Sequence, residues 1–106
     1  MAKYLISASY TAEGAKGLLK EGGTKRRQAA EQAIKSAGGK LDAFYFAFGE
    51  NDAVVIVDAP DHASVAAMSL AINASGAVRT KTVVLLTPEE IDQATKKGTT
   101  YRAPGH

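Results

Sequence analysis

Arg79 and Lys81 stand two residues apart in Val78-Arg79-Thr80-Lys81-Thr82-Val83, a stretch rich in β-forming residues. At the two-residue period of a strand they project from one face, and Val83 and Leu85 continue that face. Two cations beside apolar groups suit a carboxylate or a phosphate, and a guanidinium offers bidentate contact. The same pair also suits an edge strand kept soluble by charge. Both readings stay open on the sequence.

The other candidates are sparser. Glu50 and Asp52 form a close carboxylate pair; acid–base work needs an environment that separates their pKa values. In a turn, solvation is the simpler expectation, with Asp52 bonding its own turn backbone. Gly22-Gly23-Thr24 ahead of Lys25-Arg26-Arg27 offers free amides and cations at a helix start, but neither phosphate-loop nor dinucleotide spacing is present. His62 lacks neighbouring His, Cys or paired acids and makes a poor metal or haem ligand. Tyr4, Tyr10 and Tyr45 fit a cavity wall with a hydroxyl inside, or plain packing. Ser7, Ser9 and Ser69 have no histidine at a suggestive spacing, so a nucleophilic triad is unsupported. No metal site and no cofactor are expected.

These residues belong to a chain of 106, enough for one domain. With 45% hydrophobic and 23% charged residues it is an ordinary globular composition. Thirteen basic against eleven acidic residues leave a net charge of +2, an excess that does not argue for nucleic acid, where a domain-wide basic face is expected. Cysteine is absent, which excludes disulfides and thiolate chemistry. The start, Met1-Ala2-Lys3-Tyr4, runs into a strand pattern with no signal-peptide core, and no apolar run reaches the roughly 20 residues of a membrane helix. A cytoplasmic protein is the expectation.

The positioning elements follow from period and punctuation. Tyr4–Tyr10 reads as a strand, and Thr11 caps a short helix reaching Leu18 and Leu19. Thr24 is expected to cap a second helix carrying Ala30, Ala33, Ile34 and Ala37, which Gly38-Gly39 ends. Leu41–Phe48 is a strand with Phe44, Phe46 and Phe48 on one face and Ala43, Tyr45 and Ala47 on the other. Gly49-Glu50-Asn51-Asp52 is a hairpin turn, and Ala53–Val57 is the third strand. Asp61 caps a helix with Val65, Met68 and Ile72 inward, ending near Ser75-Gly76. Val78–Leu86 is the fourth strand, and Thr87-Pro88-Glu89-Glu90 opens a last helix through a capping box. The domain is expected over residues 1–97, with a tail over 98–106 that is loose or laid on a partner.

The order β-α-β-β-α-β predicts a four-stranded antiparallel sheet with its main helices on one face. Both faces of the sheet are apolar, so the open one is expected to pack against a second subunit.

Several stretches resemble the GYD-domain family. They are Lys3-Tyr4-Leu5, Ser9-Tyr10-Thr11-Ala12-Glu13-Gly14, Lys16-Gly17-Leu18-Leu19, Gly38-Gly39-Lys40-Leu41 and Phe44-Tyr45-Phe46 running into a Gly-x-x-Asp turn. Val78-Arg79-Thr80-Lys81-Thr82 before Leu86-Thr87-Pro88-Glu89-Glu90 completes the set, which spans Lys3 to about Lys97. Gly49 and Asp52 match the family's turn, while Glu50-Asn51 stand where an aromatic is usual. The resemblance implies a ferredoxin-like fold of the dimeric α+β barrel type, and no reaction. Three functions compete. The first is a non-enzymatic homo-oligomeric module holding a small anionic metabolite through Arg79, Lys81 and Tyr45. The second is a cofactor-independent monooxygenase- or isomerase-like enzyme using Tyr45, Glu50 or His62. The third is a regulatory module that binds a protein partner through Thr99–His106.

Overall fold

The computed structural model describes residues 1–47 and 49–106. Phe48, expected to close the second strand, lies outside the described residues. The chain runs β1 (Ala2–Tyr10), α1 (Ala12–Glu21), α2 (Gly23–Ser36), β2 (Lys40–Phe46), β3 (Ala53–Ala59), α3 (His62–Ala74), β4 (Val78–Leu85) and α4 (Pro88–Thr95). The strands form one antiparallel sheet in the order β2-β3-β1-β4. With α1, α2 and α3 carried on one of its faces, this is the ferredoxin-like arrangement of the dimeric α+β barrel class.

Alternation along the two central strands sorts their side chains. Tyr4, Ile6 and Ala8 of β1 and Ala53, Val55, Val57 and Ala59 of β3 are buried toward the helices. Leu41, Ile34 of α2 and Val65 and Met68 of α3 complete the core, with Phe44 packed against it. The intervening residues Leu5, Ser7, Val54 and Ile56 face the other way and remain half-buried without any cover.

Boundaries moved where local chemistry outweighed the pattern. α2 is preceded by Gly22 at φ 83°, with no side-chain cap. Thr24 therefore sits inside the helix rather than capping it, because glycine takes the left-handed turn between α1 and α2 without cost. β3 runs two residues beyond Val57, since Asp58 and Ala59 still pair with Lys3 and Ala2. β2 starts at Lys40 and carries a bulge between Leu41 and Ala43. Downstream of the bulge Phe44 and Phe46 face the helices and Ala43 and Tyr45 face the open side, as the alternation predicted. The caps at Thr11, Asp61 and Thr87 form as expected, including the reciprocal Thr87–Glu90 box with Pro88 in the first turn.

α4 buries no residue, and every position from Leu86 to His106 is exposed. The radius of gyration is 16.9 Å and the extents are 56 × 33 × 22 Å. A compact chain of this length has a radius near 13 Å. The C-terminal segment therefore stands out from the body as an arm.

Candidate functional site

The register of β1 and β4 places Arg79 opposite Ser9 and Lys81 opposite Ser7, all four on the open face. Arg79 and Lys81 line a cavity of about 420 Å³ together with Ser7, Ser9, Asn51 and Asn73. Asn73 holds its rim. Its amide nitrogen donates to the Ser69 carbonyl oxygen at 2.6 Å and to Thr80 Oγ1 at 2.8 Å, while Thr80 N–H donates to Asn73 Oδ1 at 3.1 Å. The last turn of α3 is thus fastened to the edge strand that carries both cations. Among the described residues neither Arg79 nor Lys81 has an ion-pair partner. Two cations, two hydroxyls and carboxamides form a wall that accepts an anion with several oxygens.

The opposite corner of the open face is already neutralised. Lys3 Nζ lies 2.8 Å from Asp42 Oδ2 and 3.0 Å from Asp58 Oδ1. Bonding to Asp42 and then Asp58 raises the Lys3 pKa, and the bond from Lys3 holds the Asp42 carboxyl below its ordinary value. Lys40 adds a positive charge beside Asp42, so this corner carries two cations and two anions. Sequence reasoning missed the cluster because the bulge in β2 turns Asp42 onto the open face.

Tyr45 is 70% exposed on β2, the far edge strand, and so stands across the sheet from Arg79 and Lys81. Three strand spacings separate those edges, about 14 Å. Glu50 is exposed in the turn before β3 and His62 follows its other end, so the seven-residue strand keeps them about 20 Å apart. Neither they nor Tyr45 line the polar cavity.

His62 has a different partner. Its Nδ1 and the Tyr4 hydroxyl are joined by a 2.7 Å hydrogen bond, with the rings edge-to-face at 5.7 Å. Tyr4 is 2% exposed, and a buried hydroxyl needs such a partner.

Asp52 closes its own turn through the backbone, its carbonyl oxygen accepting from Ala47 N–H at 2.8 Å, while its side chain reaches another strand. Its carboxylate accepts from Tyr10 N–H at 2.8 Å, and its N–H donates to the Ala8 carbonyl at 2.8 Å. It thereby extends the β1–β3 ladder by one side-chain rung. A second cavity of about 400 Å³ lies beside it, lined by Tyr10, Ala15, Leu18, Phe46, Ala47 and Asp52. Burial pushes the Tyr10 phenol up against the pull of Arg26, and the Asp52 charge adds to the rise. No group of three or more metal-ligating side chains occurs among the described residues, and no helix there is long and apolar enough to cross a membrane.

Comparison with known proteins decides the family. The GYD domain model matches residues 4–95, nearly the whole chain. The protein belongs to the GYD-domain family. The Asp52 rung just described is the aspartate of this GYD domain's Gly49-to-Asp52 turn, and here it closes a strand ladder. No curated protein sequence matches the chain. Among solved structures, the crystal structure of MtbAldR is similar with a TM-score of 0.61 and 18% identity. The match covers 81% of the GYD-domain chain and 52% of MtbAldR, so this chain spans about half the length of that protein. At this identity the likeness is one of fold.

Proposed function

We propose that this GYD-domain protein is a non-enzymatic, cytoplasmic, homo-oligomeric binding or structural module. The observation that carries the reading is the open sheet face. Leu5, Val54, Ile56 and Leu85 are half-buried there and Val83 is 54% exposed, an apolar surface that one chain leaves uncovered. A contiguous apolar surface rimmed by charge is the mark of an interaction site. A second copy offers a face of matching chemistry, and two-fold pairing needs only one self-complementary patch.

The polar cavity adds the binding part. Arg79 and Lys81, with no ion-pair partner among the described residues, present positive charge beside Ser7 and Ser9, which suits a carboxylate- or phosphate-bearing group. A small anionic metabolite is one group of that chemistry, and a protein carboxylate is another. The enzyme reading has less support, because Tyr45, Glu50 and His62 are dispersed and His62 serves the buried Tyr4 hydroxyl.

Native mass spectrometry of gently purified protein tests the reading. The expected result is a multiple of the 11.1 kDa chain, with any anion that co-purifies identified by denaturing mass analysis. A species of one chain at all concentrations would overturn it.

A further inference from the structure

Several charged groups have no ion-pair partner among the described residues, and two sets of them, of opposite sign, sit where a second copy could join them. Arg79 and Lys81 line the polar cavity and have no ion-pair partner among the described residues. Glu89 and Asp92 of α4 have none either, whereas Glu90 is committed to the capping box through its bond from Thr87 N–H. Glu89 and Asp92 are three residues apart and share one side of the helix. Pro88 and Ile91 lie beside them as an apolar strip, and Ile91 is 47% exposed. The helix α4 is thus acidic and amphipathic, with Lys96 and Lys97 following it, and its own body leaves it bare.

Topology sets α4 apart from the cations of its own chain. α4 leaves β4 at Leu85 after a two-residue link, while Arg79 lies six strand steps away, about 20 Å toward the other end. In its own chain the arm departs from the wrong end of the strand. A two-fold axis crossing β4 at right angles reverses the partner strand, so the Leu85 end of one β4 falls beside the Arg79 end of the other. In that arrangement each arm would reach the partner's cavity, and the two contacts would be equivalent.

We propose that the polar cavity of one subunit is occupied by α4 of a second copy, with the Glu89 and Asp92 carboxylates of that copy held by Arg79 and Lys81. The inference rests on the homo-oligomeric reading and adds to it the identity of the anion and the direction of the pairing. The apolar stripe around Ile91 extends the open-face interface past the sheet edge. The capping box and Pro88 fold α4 locally, so the helix needs little ordering when it docks. The Lys3 corner does not compete, because its carboxylates are already held.

Charge exchange between two variants provides the test. One chain carries Arg79→Glu and Lys81→Glu, and the other carries Glu89→Lys and Asp92→Lys. All four positions are exposed, and circular dichroism of each chain checks the fold. Sedimentation velocity and native mass spectrometry then compare each variant alone, their equimolar mixture and the wild type. Each variant alone is expected to associate about a hundredfold more weakly, since like charges now face each other. The mixture is expected to restore a one-to-one heterodimer with wild-type strength. Variants that associate as tightly as wild type would overturn the inference, and so would a mixture that fails to rescue. If Glu89→Lys with Asp92→Lys is harmless while a small anion co-purifies and is lost on changing Arg79 and Lys81, the ligand is a metabolite. That outcome overturns the arm and keeps the module. A monomeric wild type removes both.

Discussion

The Tyr4 hydroxyl is the most exacting group in the core. It is carried by a residue 2% exposed, and His62 is its partner from 58 positions away. His62→Ala strands that hydroxyl and is expected to cost about 1–3 kcal/mol in urea unfolding. Adding Tyr4→Phe removes the stranded group, so the double variant should recover most of the loss. A double variant no more stable than His62→Ala would contradict this pairing. Asp52→Ala leaves Tyr10 N–H without its carboxylate and should cost a similar amount, about 1–3 kcal/mol by the same measurement. Titration acts at both ends of the pH scale. Asp42, bonded to Lys3, and Asp61, bonded to the Ser64 N–H, are held below the ordinary carboxylate value. Their contributions are present above about pH 4 and are lost as pH falls through the lower folded-state values. Lys3 and Tyr10 are raised, so theirs are present below about pH 10 and are lost as pH climbs further. Thermal melting against pH should show a plateau between these limbs. The sequence placed His62 in the first turn of a helix and Arg79 with Lys81 on one strand face. It did not reveal that Tyr4 reaches His62 or that Asp52 reaches Tyr10, because those contacts depend on tertiary register.

At the scale of elements, two glycines of α1 make opposite predictions. A Cβ at Gly14 would collide with the Ala77 carbonyl oxygen in the turn before β4, whereas a Cβ at Gly17 meets nothing within 4 Å. Gly14→Ala should therefore cost about 3 kcal/mol, as overpacking against backbone does. Gly17→Ala should add about 0.5–1 kcal/mol by removing the helix penalty of glycine. Equal effects in urea unfolding would mean that α1 does not pack as described. The elements themselves were largely legible, because caps and alternation are local signals. Thr87-Pro88-Glu89-Glu90 states its own helix start, and the Phe44, Tyr45, Phe46 alternation survives in β2. The β2 bulge and the Gly22 junction were not legible. The bulge follows from pairing with β3, and Gly22 displaced Thr24 as the residue before α2 through backbone freedom rather than side-chain capping.

At the scale of the whole molecule, the decisive feature is surface that one chain leaves uncovered. The sheet has an apolar face with no helix on it, and the arm beyond Leu85 stretches the chain to 56 Å. The apolar open face was visible in the sequence as strands apolar on both sides. The arm was visible only as a well-capped helix, since nothing local says whether a helix returns to its own sheet. Replacing Ile56, half-buried at the centre of that face, with aspartate places a charge in the proposed interface and leaves the helix-facing core untouched. Sedimentation velocity of the wild type and Ile56→Asp across a wide concentration range is the most direct test of the central claim. The expected result is a wild type sedimenting at two or more chains of 11.1 kDa and a folded variant shifted toward one. A wild type that sediments as one chain throughout, or a variant that associates as tightly as wild type, would contradict it.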